Sequence, residues 1–448
     1  MKKLLVFLLS CFSINAVNAE DLQNTVKDAL ANHPEVNAAI NSRYSSEQDL
    51  RAAQGGYLPS LNLNAEAGRK NVDDATTRAT GRNNGLTQSP NEATISLEQN
   101  VFNGFATNSE VARQKATVDS RAYSVMNTSE STAYAVIQAY FDVLQREEFV
   151  RLAEDDLANH ERIYDQIKLR TDQGVGRSGD FMQAEARLAQ ARNNLLTEQT
   201  NLEDAKTTFV SVTGMDPQGL SQPESIDSQL PTSLEDAKSR MEKNNPLLKS
   251  ANADIEAAHQ QYEASKSTFY PRVDVELSRG ISNNTDTTRA HTEEWEAMVK
   301  LHYNLYQGGS DKANMNSRAY LHKQAQDVRN NTLRQLNQEL RLAWTALQNA
   351  RAQLPSAEEY ADRSVKVRTA YQDQFSLGER TLLDLLDSEN EVFSSKRRLV
   401  ELRYLAMTSG YRISERTGEL MNILKITPPP SGQPVVDSAE ENSLPELH

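Results

Sequence analysis

The stretch Glu294-Trp295-Glu296-Ala297-Met298-Val299-Lys300-Leu301-His302-Tyr303-Asn304-Leu305 alternates in character from end to end. Trp295, Ala297, Val299, Leu301, Tyr303 and Leu305 share one side, against Glu294, Glu296, Met298, Lys300, His302 and Asn304. A period of two with one greasy face is the signature of a β-strand whose sides meet different surroundings. The polar loop 282–293 precedes it, and before that Val273, Val275 and Leu277 alternate with Arg272, Asp274 and Glu276. Earlier in the chain Leu61, Leu63, Ala65 and Ala67 alternate with Ser60, Asn62, Asn64 and Glu66. After the polar loop 70–91, Ile95 and Leu97 alternate with Thr94, Ser96 and Glu98. The spacing predicts four strands, at about 58–69, 92–103, 270–281 and 294–306. A soluble sheet resting on a core would alternate in the same way. The surroundings favour lipid: Tyr57, Phe102, Tyr270, Trp295, Tyr303 and Tyr306 cluster at strand ends as interface girdles do, and nothing else supplies a greasy layer to cover four such faces.

The strands belong to a duplication. Asn32-His33-Pro34-Glu35 recurs as Asn244-Asn245-Pro246-Leu247, and Tyr57-Leu58-Pro59 as Phe269-Tyr270-Pro271, both offset by 212. Farther on, Asn103-Gly104 matches Gln307-Gly308, Gly174 matches Gly378, Asp180 matches Asp384 and Glu185 matches Glu389, offset by 204. Copy one, 20–229, and copy two, 230–426, each read helix, strand, loop, strand, very long helix, turn, helix. The long helices are expected at about 105–172 and 309–376, each some 68 residues, or about 100 Å of rod. The shorter ones, 180–213 and 382–417, carry a heptad seam: Phe181, Ala184, Leu188, Ala191, Leu195, Leu202, Ala205 and Phe209, then Leu385, Ser388, Val392, Ser395, Leu399, Ala406, Ser409 and Ile413. Steps of three and four mean coiled-coil packing, and small residues on one stripe suit helices that stand side by side in a wall.

Composition narrows the function. Of 448 residues, 38% are hydrophobic, and the formal charge of −14 lacks the positive surface that nucleic acid requires. Seven histidines never approach metal-ligand spacing, and the one cysteine, Cys11, lies in an export leader. That leader, 1–19, has Lys2-Lys3, a short apolar core and Val17-Asn18-Ala19 before Glu20. Leu8-Leu9-Ser10-Cys11 also has the look of a lipoprotein box, an alternative that would leave an acylated amino terminus. No thiol or zinc enzyme fits the mature chain. Gly174, Gly176 and Gly179 spell a dinucleotide fingerprint, but a polar helix precedes them where the motif needs a strand. Asp155-Asp156 and Glu358-Glu359 fall on charge-studded rods, where solvated faces are the rule. The Pro-rich, acidic tail 427–448 reads as disordered.

Four strands cannot close, and lipid does not tolerate an open edge. Three chains would supply twelve strands, so the expected fold is a mixed α/β membrane protein: a trimeric transmembrane β-barrel with a helical coiled-coil tunnel.

The residues also carry a family resemblance. The duplicated arrangement, Tyr57-Leu58-Pro59 and Tyr270-Pro271 entering the first strands, Phe102-Asn103-Gly104 and Tyr306-Gln307-Gly308-Gly309 leaving the second, and above all Gly378-Glu379-Arg380-Thr381-Leu382-Leu383-Asp384-Leu385-Leu386-Asp387-Ser388-Glu389 resemble the TolC family of outer-membrane efflux and type I secretion channels. The resemblance covers about residues 22–424. It implies an outer-membrane barrel, a periplasmic tunnel and a homotrimer. It further implies a periplasmic adaptor and an inner-membrane pump, either an ABC transporter or a proton-driven one, with no cofactor and no catalysis. It places Asp384 and Asp387 in a ring at the periplasmic entrance, open to block by multivalent cations though not a resident metal site. It makes Arg380, Phe375 and Asp180 closure positions, and Gly174 and Gly378 the tip turns. Phe375 stands where the best-known members have tyrosine, and Gln183 where copy two has Asp387. The expected function is a passive exit duct leaning to type I protein secretion, with multidrug efflux as the alternative and an exported coiled-coil or adhesion protein as the remote one.

Overall fold

The computed structural model describes residues 21–79, 81, 85–285 and 290–434. The leader with its cleavage site, loop residues 80, 82–84 and 286–289, and the tail beyond 434 lie outside the described residues. The first copy runs α1 (Leu22–Asn32), α2 (Pro34–Gln54), β1 (Ser60–Ala67), β2 (Lys70–Val72), α3 (Ala75–Ala79), β3 (Leu86–Gln88), β4 (Asn91–Phe102), α4 (Ala106–Asp172) and α5 (Ser178–Thr213). The second runs α6 (Leu234–Asn244), α7 (Pro246–Ser265), β5 (Arg272–Asn283), β6 (His291–His302), α8 (Ser310–Ser376), α9 (Leu382–Thr417) and α10 (Leu420–Ile423). Two compact units cut across these copies. One takes Met1–Asn37, Asn127–Asn245 and Gln335–Pro428; the other takes Ala38–Met126, Pro246–Arg334 and Pro429–His448. The repeat is one of sequence and element order, not of domains.

The second unit holds an antiparallel sheet of order β1-β4-β5-β6, so the two copies join edge to edge at β4 and β5. Register sets the faces, because residues directly opposite share a side. One side stacks Leu61 with Leu97, Leu277 and Ala297, and Val275 with Val299. The other stacks Asn62 with Ser96, Ser278 and Glu296, and Asn100 with Asp274 and Lys300. The last strand starts and ends three residues earlier than its alternation suggested: β6 runs His291–His302 and stops opposite Arg272, because Pro271 has no N–H to extend the ladder to Tyr303 and beyond. Gly104 (φ +63°) turns the chain out of β4, where a Cβ would stand 2.7 Å from Tyr270 Cβ and 2.8 Å from Ser267 O.

Two segments differ from expectation in kind. The stretch 70–91, read as a polar loop, contains the β2–β3 pair and α3, with Thr77 and Leu86 buried and Asp74 Oδ1 accepting from Thr77 N at 2.8 Å. The tail, read as disordered from 427, makes a 3₁₀ turn at Pro430–Gly432 with Ser431 and Gly432 buried. A Cβ at Gly432 would meet Met126 Sδ at 2.5 Å, and Arg43 Nη2 donates to Gln433 O at 3.4 Å. Glycine there lets the backbone lie flat on the helix.

The first unit is helical. Its seam buries Ala184, Leu188, Ala191, Ala205 and Phe209 on α5, and Leu385, Ser388, Val392, Ser395, Ser409 and Ile413 on α9. Between Leu195 and Leu202 the seam position of copy one is Glu198, 3% exposed and ion-paired to Arg397, where copy two has the buried Leu402. Tyr140 and Phe141 of α4 are buried, and the Tyr140 hydroxyl donates to Ser221 O at 2.6 Å. No helix among the described residues is long and apolar enough to cross a membrane.

Candidate functional site

The tip turns of the helical unit are built differently in the two copies. In copy two, Gly378 (φ +81°) ends α8; its N–H donates to Phe375 O at 3.1 Å and that of Glu379 to Gln374 O at 2.9 Å. A left-handed residue closes the helix here, as glycine does at low cost. Thr381 then caps α9: its Oγ1 accepts from Asp384 N at 3.2 Å, and Asp384 Oδ2 accepts from the Thr381 hydroxyl at 2.8 Å and from its N–H at 3.3 Å. In copy one, Gly174 (φ +79°) is followed by Val175 and Gly176, whose N–H groups both reach Arg170 O, at 3.1 and 2.9 Å. A Cβ on Gly176 would stand 2.8 Å from Thr171 N. The helix after it starts at Ser178, with Arg177 at the cap position making no side-chain cap, so Asp180 matches Asp384 in position but not in role.

Under the turns lies a small core of Ile163, Ile167, Ala184, Phe375, Leu382, Leu385 and Leu386, flanked by the rings of Tyr164 and Phe181, tilted by 36° with centres 5.6 Å apart. Phe375 is 8% exposed, with the Arg170 guanidinium 5.0 Å from its ring centre. It packs inside the tip, where a ring without a hydroxyl fits an apolar site.

Of the charged residues at the tip, Arg380, Asp384 and Asp387 have partners. Arg380 stacks on Tyr371 at 4.2 Å, donates through Nε to Gln374 Oε1 at 2.8 Å, and stands 4.0 Å from Asp384. The Thr381 hydroxyl, then its backbone N–H, then Arg380, hold the Asp384 carboxyl below the usual carboxylate range. Asp387, exposed and one helical turn on, lies 3.3 Å from Arg187 of α5. The sequence reading missed Arg187. The available signal was its place four residues after Gln183, the counterpart of Asp387, on the same helical face. Asp180 has no ion pair among the described residues.

Behind the tip is a polar cavity of about 210 Å³, lined by Asp156, Asn159, Arg162, Arg368, Glu389 and Lys396 among others. Asn159 Nδ2 donates to Glu389 Oε2 at 3.0 Å, and Arg368 Nη1 lies 3.5 Å from Glu389 Oε1. Burial lifts Asp156 to about 6, with Glu389 adding to it; burial also raises Glu389 and lowers His160, 3.5 Å from Asp156. No cluster of three or more metal-ligating side chains occurs among the described residues. The arrangement supplies charge and polar walls, with Glu389 held by an amide and a guanidinium group and Asp156 beside His160.

A family profile described as Outer membrane efflux protein matches residues 25–215 and 238–419. The outer membrane efflux protein BepC of Brucella suis biovar 1 is 23% identical over 404 residues, covering 89% of this chain and 86% of that protein. The alkaline protease secretion protein AprF of Pseudomonas aeruginosa is 23% identical over 406 residues, covering 88% of this chain and 83% of that one. The crystal structure of the Campylobacter jejuni CmeC outer membrane channel shares the fold, with a TM-score of 0.80 at 16% identity over 89% of this chain and 86% of that one. The chain therefore belongs to the TolC-like outer membrane efflux protein family, whose members are the outer-membrane channels of tripartite bacterial export systems and conduct cargo rather than catalyse a reaction.

Proposed function

We propose that three copies of this chain close a twelve-stranded barrel in the outer membrane and serve as the exit duct for cargo passed on by a periplasmic adaptor and an inner-membrane pump. One observation carries the reading: a four-stranded sheet with an apolar and a polar side, whose outer strands β1 and β6 each pair on one side only. Unpaired backbone in lipid costs several kcal/mol per group, so the edges call for further copies. The paired helical turns, with Asp384, Asp387, Arg187 and Arg380, form the periplasmic entrance in this reading. Detergent-solubilised protein should scatter light as three chains and form channels in planar bilayers; a folded, inserted monomer would overturn the architecture.

For cargo we favour type I protein secretion with an ABC transporter, a reading supported by the likeness to a protease secretion protein along most of both chains. Multidrug efflux with a proton-driven pump is the second reading, supported by the likeness to BepC. Deleting the gene separates them: loss of a large secreted protein from the medium supports the first. Sensitisation to drugs with secretion intact supports the second.

A further inference from the structure

We propose that Arg279, on the apolar side of the sheet, docks the phosphate of an outer-leaflet glycolipid, with Trp295 as the apolar half of the site. The inference rests on the membrane reading above. Arg279 lies in β5 directly opposite Ile95 on one side and Trp295 on the other, in the row next to Leu97, Leu277 and Ala297. Trp295 is 78% exposed. Arg279 forms a loose ion pair with Glu293 at 3.6 Å, both side chains more than half exposed; that distance is too long for a hydrogen bond, and Arg279 makes none among the described residues. A guanidinium has five donors. On a lipid-facing surface such a charge is expensive unless it reaches an anionic headgroup.

The direction of the side chain identifies the leaflet. Glu293 lies one row beyond Trp295, toward the ends of the strands at Asn91, Asn283 and His291. Every connection to a long helix leaves from the opposite ends, at Phe102 and His302. The guanidinium therefore leans toward the outer surface. A neighbouring copy pairing through β1 would not neutralise it, because that strand shows Leu61, Leu63, Ala65 and Ala67 on this side. What remains is the headgroup layer. A phosphate accepts a forked pair of bonds from arginine, and an indole beside it suits the boundary between sugar and acyl chain.

The test uses the full-length trimer in detergent with Trp344→Phe, which leaves Trp295 as the one tryptophan of the two in the chain. Bisphosphorylated lipid A should change its emission saturably, and dephosphorylated lipid A should not. Arg279→Ala should weaken binding about tenfold or more, as expected for losing a charged hydrogen-bond pair. Arg279→Lys should keep part of it, and Glu293→Gln should tighten it by removing a competitor. Unchanged affinity in Arg279→Ala, or equal binding of the dephosphorylated lipid, overturns the proposal. So does an equal response to phosphatidylglycerol or to inorganic phosphate, which would mark a general anion contact. Channel recordings on the same preparation separate the two levels: a conducting trimer indifferent to lipid A refutes this inference alone, while failure to insert refutes the membrane reading.

Discussion

Arg187 of α5 stands 3.3 Å from Asp387 of α9, joining the tip of one copy to the tip of the other within a single chain. Asp387 is therefore compensated where it stands, and Asp384 is the acid of the pair without a salt bridge to the other copy's helix. Arg187→Ser should release the link. A pair this exposed contributes only about 0.2–1 kcal/mol to folding, so thermal stability should barely move while resting conductance in planar bilayers rises. Exchanging the charges, Arg187→Asp with Asp387→Arg, should restore the wild-type conductance. Unchanged conductance in the single variant would mean that the contact plays no part in closure.

Asp384 is ionised more readily than an ordinary aspartate, chiefly because Thr381 caps it. A lowered carboxyl contributes stability above its unfolded value of 3.8, lost as pH falls through the lowered folded value. Block of the channel by a trivalent cation should therefore persist unweakened from pH 7 to pH 5. Asp384→Ala should abolish most of that block; equal block in the variant would locate the cation elsewhere.

Val275 faces Val299 on the apolar side of the sheet, while Ser278 faces Ser96 and Glu296 on the polar side. Val275→Arg should cost about 2–4 kcal/mol per chain near the bilayer midplane, and Ser278→Arg far less. Folding yield into lipid vesicles measures both. Equal losses would mean that the face assignment is wrong.

Glu130 and Glu415 are buried in the helical unit, and burial pushes them up to about 8 and about 7. For acids raised in the folded state the unfolded chain ionises first. Their stabilising effect is complete below about 4.5 and declines as pH climbs toward about 8. The protein should melt at a higher temperature at pH 6 than at pH 8.5, and Glu130→Gln should flatten that difference. A melting temperature that rises with pH over this range would show that another group governs.

The alternation of Leu61–Ala67 and Trp295–Leu301 and the long helices were legible in the sequence because each is a local period, and the 204-residue offset because the chain repeats itself. A strand or helix declares its faces within a dozen residues, whatever it later packs against. The cap formed by Thr381 and Asp384, three apart, is local too, but the sequence reading took Asp384 for an entrance residue and did not find the cap. Pro271, at one end of β5, was visible too, but its effect on where β6 stops needed the pairing register.

What the tertiary structure alone decided lies between segments. Glu198 with Arg397 and Arg187 with Asp387 join residues about two hundred positions apart, and their meeting depends on how two helices are rotated about their axes. The family resemblance makes Phe375 a closure position lacking a hydroxyl, yet the packing of Ile167, Leu382 and Leu386 makes it a core residue. The β2–β3 pair with α3, and the turn at Pro430–Gly432, escaped because short polar segments have no period; what holds them are contacts made only in the folded chain, such as that of Gly432 on Met126. The sequence by itself thus determined which elements form and which sides of them are apolar, since those follow from propensity and periodicity. Only the folded chain decided which charges meet, because a pairing is a property of two surfaces and their register.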